Sequence, residues 1–289
     1  MSNSSERLVL VTGGTGNQGG ATVKHLLETK RTRIRVLTRS PDSPKAQRLA
    51  SLGVELMAGD MDDPASLRRA LSGVSAAFSV QQWTEKGGVA AEERRGKAFA
   101  DAVKAENVPF LVYASAEGVE RESGLAHYES KLAIERHMSD LGLSRTILRP
   151  VGFMDVFAVN AVVRGVMLGL FRTALGNRKR VQLVATSDIG WFAARALEDP
   201  ERYAGRVIPL AGDELSVPDF VATIKQVTGR GQWVAPIPKF LTKAMPEEYG
   251  AMFRWIGEHG FKADIGALRQ EHPTMMTFAA WLRASDVRS

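Results

Sequence analysis

Apolar residues in the first half of the chain fall into two alternating textures. Leu8-Val9-Leu10-Val11, Ile34-Arg35-Val36-Leu37, Val54-Glu55-Leu56-Met57, Ala76-Ala77-Phe78-Ser79-Val80, Phe110-Leu111-Val112-Tyr113 and Arg145-Thr146-Ile147-Leu148 are short runs of strand type. Between them, residues 20–28, 44–52, 64–71, 90–106 and 125–141 have the texture of helices. Asp63 before Pro64 supplies an N-cap with proline at the first helical position. Leu125, Leu132 and Leu141 fall near one stripe of their helix, as packing on a sheet requires. Strand and helix alternating at this spacing predict right-handed crossovers and a parallel sheet. The expectation is an α/β fold with a doubly wound parallel sheet of Rossmann type over residues 1–150.

Beyond Pro150 the regularity breaks. Residues 153–175 are apolar and punctuated by glycine, 181–184 and 206–210 read as strands, and Thr186 or Ser187 caps a helix running to Leu197. Residues 218–228, 239–256 and 274–284 read as helices, the last two rich in Met, Phe and Trp that suit a packed core. Residues 151–289 are therefore expected to form a smaller C-terminal α/β cap on the sheet, holding a substrate or a partner.

Composition narrows the class. With 289 residues, 44% hydrophobic and 24% charged, the chain reads as globular, and no apolar run approaches the ~20 residues that span a bilayer. The opening residues lack the charged-then-apolar layout of a signal peptide, so a cytoplasmic protein without a membrane partner is expected. The absence of cysteine excludes disulfides and thiolate chemistry. The net charge of +6 is spread along the chain, and its two basic clusters, at Arg31 to Arg33 and Arg178 to Arg180, lie in no DNA-reading module. The five histidines show no metal-ligand spacing, so no metal site is expected.

The first strand runs into Thr12-Gly13-Gly14-Thr15-Gly16-Asn17-Gln18-Gly19-Gly20. Gly13 permits the tight turn, Gly16 lets backbone N–H groups approach a pyrophosphate, and Gly19 lets the helix pack closely on the sheet. The helix start then offers N–H donors and a positive dipole end to the anion. Strand, turn, helix and next strand are all in sequence, which is the context a dinucleotide site needs. A site for NAD places a carboxylate at the end of the second strand. Here Arg39 holds that place, and a guanidinium grips a 2′-phosphate where a carboxylate would repel it. With Lys45 nearby, the cofactor expected is NADP(H) rather than NAD(H).

The glycine turn, Arg39, Gly59-Asp60-Met61-Asp62-Asp63, Val80-Gln81-Gln82-Trp83 and Gly96-Lys97 resemble the NmrA-like family, an atypical branch of the short-chain dehydrogenase/reductases. So do Tyr113-Ala114-Ser115, His127-Tyr128-Glu129-Ser130-Lys131 and Leu148-Arg149-Pro150-Val151-Gly152-Phe153. The tail around Met252 to Trp255 and His272 to Thr274 looks like the branch of the vertebrate NmrA-like redox sensor, and quinone-reductase-like members share some landmarks. The resemblance implies Thr15, Asn17 and Gln18 in the phosphate turn, Asp60 and Met61 beside the adenine, and Val80 and Gln81 under the ribose and pyrophosphate. It also implies Ser115 at the end of the fifth strand, Lys131 on the nicotinamide ribose, and Pro150 and Phe153 bordering the nicotinamide.

Ordinary members of the wider family use a tyrosine four residues before the lysine, so that both face the cofactor. Here Tyr128 stands three before Lys131, and His127 stands four before it. Lys131, Tyr128 and His127 are the catalytic candidates, and the departure leaves turnover open. One reading is a redox-sensing NADP(H)-binding regulator with little turnover, acting on a protein partner. The alternative is an NADPH-dependent reductase of a quinone-like or other small aromatic molecule. Either form admits an oligomer.

Overall fold

The computed structural model describes residues 7–238, 240 and 247–285. Six strands and their crossover helices follow the alternation in the sequence: β1 (Leu8–Thr12), α1 (Asn17–Thr29), β2 (Arg33–Thr38), α2 (Pro44–Ser51), β3 (Glu55–Ala58), α3 (Pro64–Leu71), β4 (Ala76–Ser79), α4 (Gly88–Ala105), β5 (Leu111–Ala114), α5 (Ala126–Asp140) and β6 (Arg145–Pro150). After β6 come β7 (Gly152–Phe153), a 3-10 turn at Met154–Phe157, α6 (Ala161–Leu175), β8 (Val181–Val184), α7 (Thr186–Glu198), α8 (Pro200–Tyr203) and β9 (Val207–Leu210). The chain continues through β10 (Asp213–Leu215), α9 (Val217–Thr228), α10 (Glu247–His259), α11 (Ile265–Glu271) and α12 (Phe278–Ala284).

The strands order as β3-β2-β1-β4-β5-β6-β9, and the pairings from β3 through to β6 are parallel. The order reverses beside β1, and that reversal opens a crevice at the carboxyl ends of β1 and β4. All five residues of β1 are buried, as a strand covered on both faces demands. Local signals set the helix starts. Ser43 and Asp63 accept hydrogen bonds from Ala46 N and Ala65 N, each followed by proline at the first helical position. On one face, α4 meets α5 at Gly96, where a Cβ would lie 2.4 Å from Ile134 Cδ1. Here Phe99, Val103, Leu111, Tyr113, Ile134 and Met138 form part of one core cluster.

The chain divides into two compact units that differ from the sequence halves 1–150 and 151–289. The first comprises the residues up to Glu120, His127–Arg149 and Thr186–Ile208, and the second comprises Arg121–Ala126, Pro150–Ala185 and the residues from Pro209 onward. The reason is the second wrapping of the sheet. Helix α7 returns to the first unit and packs on α1, close enough that a Cβ on Gly190 would lie 2.5 Å from the backbone of Ala21. Only a contact between distant segments reveals that return, so periodicity cannot.

The second unit is built on a three-stranded sheet of order β10-β8-β7, with β8 parallel to β7 and antiparallel to β10. Its aromatics form a chain of ring contacts: Phe157 stacks on Phe220 at 5.2 Å between ring centres, Phe220 meets Phe278 edge-on at 4.9 Å, and Phe278 stacks on Trp281 at 5.7 Å. Such pairs contribute ~0.5–1.5 kcal/mol each beyond burial. The expected helix over 239–256 lies partly outside the described residues, and its described part is α10. The helix expected from Thr274 begins at Phe278, because Thr277 serves as its N-cap and accepts from Ala280 N. Among the described residues, no helix is long and apolar enough to cross a membrane.

Candidate functional site

The glycine turn has the geometry its sequence demands. Gly13 sits at φ +63° and its carbonyl accepts from Gly16 N at 2.8 Å. Helix α1 opens at Asn17, three residues earlier than the sequence spacing suggested, with Gly16 at the N-cap and no side chain capping it. Its first N–H groups therefore face the turn, with no acidic residue in the first helical turn. A Cβ at Gly19 would lie 2.3 Å from Gly13 O, so only glycine lets the helix start this close to β1. Thr12 Oγ1 accepts from Val80 N at 3.0 Å and ties the ends of β1 and β4 together.

These strand ends frame a cleft of about 260 Å³. Of the residues singled out from the sequence, Gly13, Thr15, Gly16, Asn17, Gln18 and Gly19 line it on the turn side. Arg39, Asp60, Met61, Val80 and Gln81 line it from the ends of β2, β3 and β4. Gln81 donates Nε2 to Ser79 Oγ at 2.8 Å, which leaves its buried Oε1 without a hydrogen-bond partner among the described residues. Gln18 Oε1 is in the same condition. Two orphaned acceptors in one cleft are costly in an isolated protein and suit a ligand that carries donors.

An ion network runs from the cleft lining at Arg39, Glu85 and Arg95 to Asp62. Arg95, on α4, donates Nε and Nη2 to Asp62 Oδ2 at 3.0 and 2.6 Å, and Nη1 to Glu85 Oε2 at 3.2 Å. Arg94 reaches Asp62 Oδ1 at 2.8 Å, and Arg39 Nη2 lies 3.9 Å from Glu85 Oε2. The hydrogen bond from Arg95, then that from Arg94, holds the Asp62 carboxyl down at about 2, and the same Asp62 bond raises Arg95 above its ordinary value. Sequence reasoning missed Ser40, Ser43, Glu85 and Arg95, all of which line the cleft. Ser43 could have been found, because a serine before Pro44, four residues past Arg39, is a helix N-cap visible in the sequence. Arg95 could not, since it comes from a helix 33 residues past Asp62.

Lys45, Ser115 and Lys131 are not among the cleft-lining residues. Lys45 is exposed on α2. Ser115 directly follows β5, with its buried Oγ unpartnered among the described residues. Helix α5 buries His127, Tyr128, Ser130 and Lys131 together. Lys131 Nζ lies 3.0 Å from Glu92 Oε1, a Coulombic contact lacking hydrogen-bond alignment, since that oxygen has no hydrogen-bond partner. Ser130 donates to Glu92 Oε2 at 2.5 Å. The ammonium also sits 5.9 Å from the ring centre of Tyr113, whose phenol is pushed far up by burial and then by Glu92 and Glu135. Trp83, two residues after Gln81, stacks on His127 at 5.1 Å, and His127 meets Tyr128 edge-on at 4.8 Å. The chain leaving the cleft thus packs directly on the altered helix. Pro150 and Phe153, at the end of β6 and in β7, belong to the second unit.

The profile of the NmrA-like family matches residues 5–282. The NmrA-like family domain-containing oxidoreductase FrzB of Cladobotryum sp is 29% identical over 251 residues, 77% of this chain and 74% of that protein. Photosystem II assembly factor Ycf39 of Trieres chinensis is 28% identical over 86% of this chain and 77% of its own length. Citrobacter sp. triphenylmethane reductase complexed with NADP(H) superposes with a TM-score of 0.77 at 20% identity, covering 96% of this chain and 99% of that one. The NADPH-dependent quinone oxidoreductase QOR2 of Escherichia coli complexed with NADPH gives 0.79 at 21% identity, with coverages of 96% and 98%. NmrA, a negative transcriptional regulator in complex with NADP, gives 0.76 at 15% identity, with coverages of 97% and 95%. These structural likenesses concern the fold.

Proposed function

The chain belongs to the NmrA-like family, and on that premise we propose that its cleft binds a nicotinamide dinucleotide, NADP(H) in preference to NAD(H). The observation that carries the reading is the placement of the glycine turn and Arg39 on one cleft at the ends of β1 and β2. The residues present fit the group. The uncapped N-terminus of α1 suits a pyrophosphate, and the orphaned oxygens of Gln18 and Gln81 suit hydroxyl or amide donors. Arg39, with Ser40 and Ser43 beside it, suits the 2′-phosphate.

We take the chain to be a reductase acting on a small aromatic or quinone-like molecule. The relatives named oxidoreductases favour this use, as do neighbours named for triphenylmethane and quinone reduction. A bound nicotinamide would supply hydride chemistry, which needs placement and a proton source. This chain's part is to hold the dinucleotide through the turn and to keep His127 buried against Trp83, four residues before Lys131, where the usual acid of the wider family stands. A second reading, a redox-sensing regulator with a protein partner, is favoured by one observation. Lys131 Nζ lies against Glu92 rather than lining the cleft.

The test is NADPH oxidation with a panel of quinones and conjugated dyes, run beside NADPH and NADH titrations. Turnover that depends on the acceptor is expected. Tight NADPH binding with no oxidation across the panel would overturn the reductase and leave the regulator. Equal affinity for the two cofactors, unchanged by Arg39→Ala, would remove the NADP(H) preference.

A further inference from the structure

We propose that Glu85 is a specificity-determining residue of the dinucleotide cleft. Its carboxylate acts as an internal anion between Arg39 and Arg95 and sets how strongly a 2′-phosphate is favoured over a 2′-hydroxyl. The inference rests on the reading that Arg39 receives the phosphate of NADP(H).

A single oxygen makes both contacts. Glu85 Oε2 lies 3.2 Å from Arg95 Nη1 and 3.9 Å from Arg39 Nη2, and all three residues line the cleft. The two arginines are not equivalent. Arg95 is 11% exposed and fixed, with two of its nitrogens already on Asp62. Arg39 is 61% exposed and meets Glu85 only at the long edge of ion-pair distance. Of the two, Arg39 is the one that can turn to an arriving anion, while Glu85 stays on Arg95.

A phosphate monoester carries about −1.5 to −2 charges near neutral pH against −1 for the carboxylate. The phosphate therefore wins Arg39, but it does so beside a carboxylate that remains in place. That repulsion acts on the 2′-phosphate alone, since a 2′-hydroxyl carries no charge and leaves the Arg39–Glu85 contact intact. Cofactor preference in this cleft is then a difference between attraction by Arg39 and repulsion by Glu85, which is how specificity is set when one element opposes another. Asp60 also lines the cleft and bears on Arg95, but it shows no ion pair with Arg39 among the described residues.

The experiment is a pair of binding titrations, NADPH and NADH, on the wild-type chain, Glu85→Gln and Arg39→Ala. Glu85 is 43% exposed on a loop, so the variant should fold, and a far-UV circular dichroism spectrum checks it. The ratio of NADPH to NADH affinity in Glu85→Gln is expected to rise by roughly three- to tenfold at low ionic strength. The rise should shrink when salt is raised to ~0.5 M, because partly exposed charges are screened. An unchanged or lower ratio in Glu85→Gln overturns the inference, and so does a rise that salt leaves untouched. Failure of the underlying reading looks different: Arg39→Ala would leave the wild-type ratio where it was, and the inference would fall with it.

Discussion

Lys131 and Glu92 form an ion pair with a 3.0 Å N–O distance in which the carboxylate side chain is 0% exposed and the lysine side chain 11%. Ser130, adjacent in sequence to the lysine, donates to the other oxygen of the same carboxylate. Removing one partner of a buried pair leaves the other charge without compensation, at a cost of ~3–5 kcal/mol. Glu92→Ala and Lys131→Met are each expected to lose stability of that order in urea unfolding. The double variant Glu92→Ala/Lys131→Met should lose less than the sum of the two single losses, because no uncompensated charge remains. Additive losses would show that the two groups do not stabilise each other.

The two central glycines of the turn should behave differently. A Cβ at Gly19 meets the backbone of Gly13 at 2.3 and 2.4 Å and Thr12 O at 2.5 Å, and backbone cannot step aside as a side-chain tip can. At Gly16 the nearest atom is Gly13 O at 3.3 Å. Gly19→Ala is expected to cost ~1–3 kcal/mol of folding stability, as overpacking does. Gly16→Ala should cost under ~1 kcal/mol while weakening NADPH binding, because Gly16 lines the cleft and a methyl group there adds bulk where the pyrophosphate is proposed to approach the backbone. Thermal melts and titrations on the two variants separate these effects. Equal stability losses would mean that the helix shifts to accommodate either methyl group.

The contrast shows which parts of the molecule the sequence makes legible. Gly13, Gly16 and Gly19 act through backbone within a few residues of themselves, so their spacing alone announces the turn. Arg39 is legible for the same reason, being the first residue past a strand whose end is obvious. Glu85 and Asp62 converge from two separate loops and Arg95 from α4, and each reads as an ordinary surface charge in its own segment. The Glu92 partner of Lys131 lies on a helix 39 residues earlier, where alternation marks it only as one acid among several. The interleaved units were hidden similarly, because α7 belongs to the first unit through its contact at Gly190 with Ala21 rather than through anything adjacent in sequence. Short strands such as β10, with Asp213 and Glu214, pair at an edge and carry no apolar run to reveal them.

His127 provides a test of the altered helix. It stands where the usual acid of the wider family would be, buried against Trp83. If the chain reduces an acceptor, His127→Gln should lower kcat by ~100-fold, the range of one general acid, with NADPH affinity nearly retained. Tyr128→Phe removes only a hydroxyl from the neighbouring face and should keep most of the rate. A full rate in His127→Gln, or a collapse in Tyr128→Phe alone, would move the proton source away from His127.

Asp62 makes acid stability a readout of the ion network it forms with Arg94 and Arg95. Its carboxyl titrates at about 2 in the folded chain against an ordinary 3.8, held down first by the hydrogen bond from Arg95. A depressed carboxyl stabilises the folded state fully above the ordinary value and loses that contribution as pH falls through the folded one. The window is therefore about pH 4 down to about pH 2. The side chain is 36% exposed, so solvent screens the pair and the contribution near neutrality should stay under ~1 kcal/mol. Asp62→Asn should be less stable than wild type by that modest amount at pH 7. The gap should persist to about pH 4 and close towards pH 2, where the wild-type carboxyl is itself taking up a proton. Urea midpoints for the two proteins at pH 7, 4, 3 and 2 measure it. A gap that stays constant to the lowest pH would mean that the asparagine loses packing or hydrogen bonds, not charge, and Arg95 would then owe its place to something other than the Asp62 carboxylate.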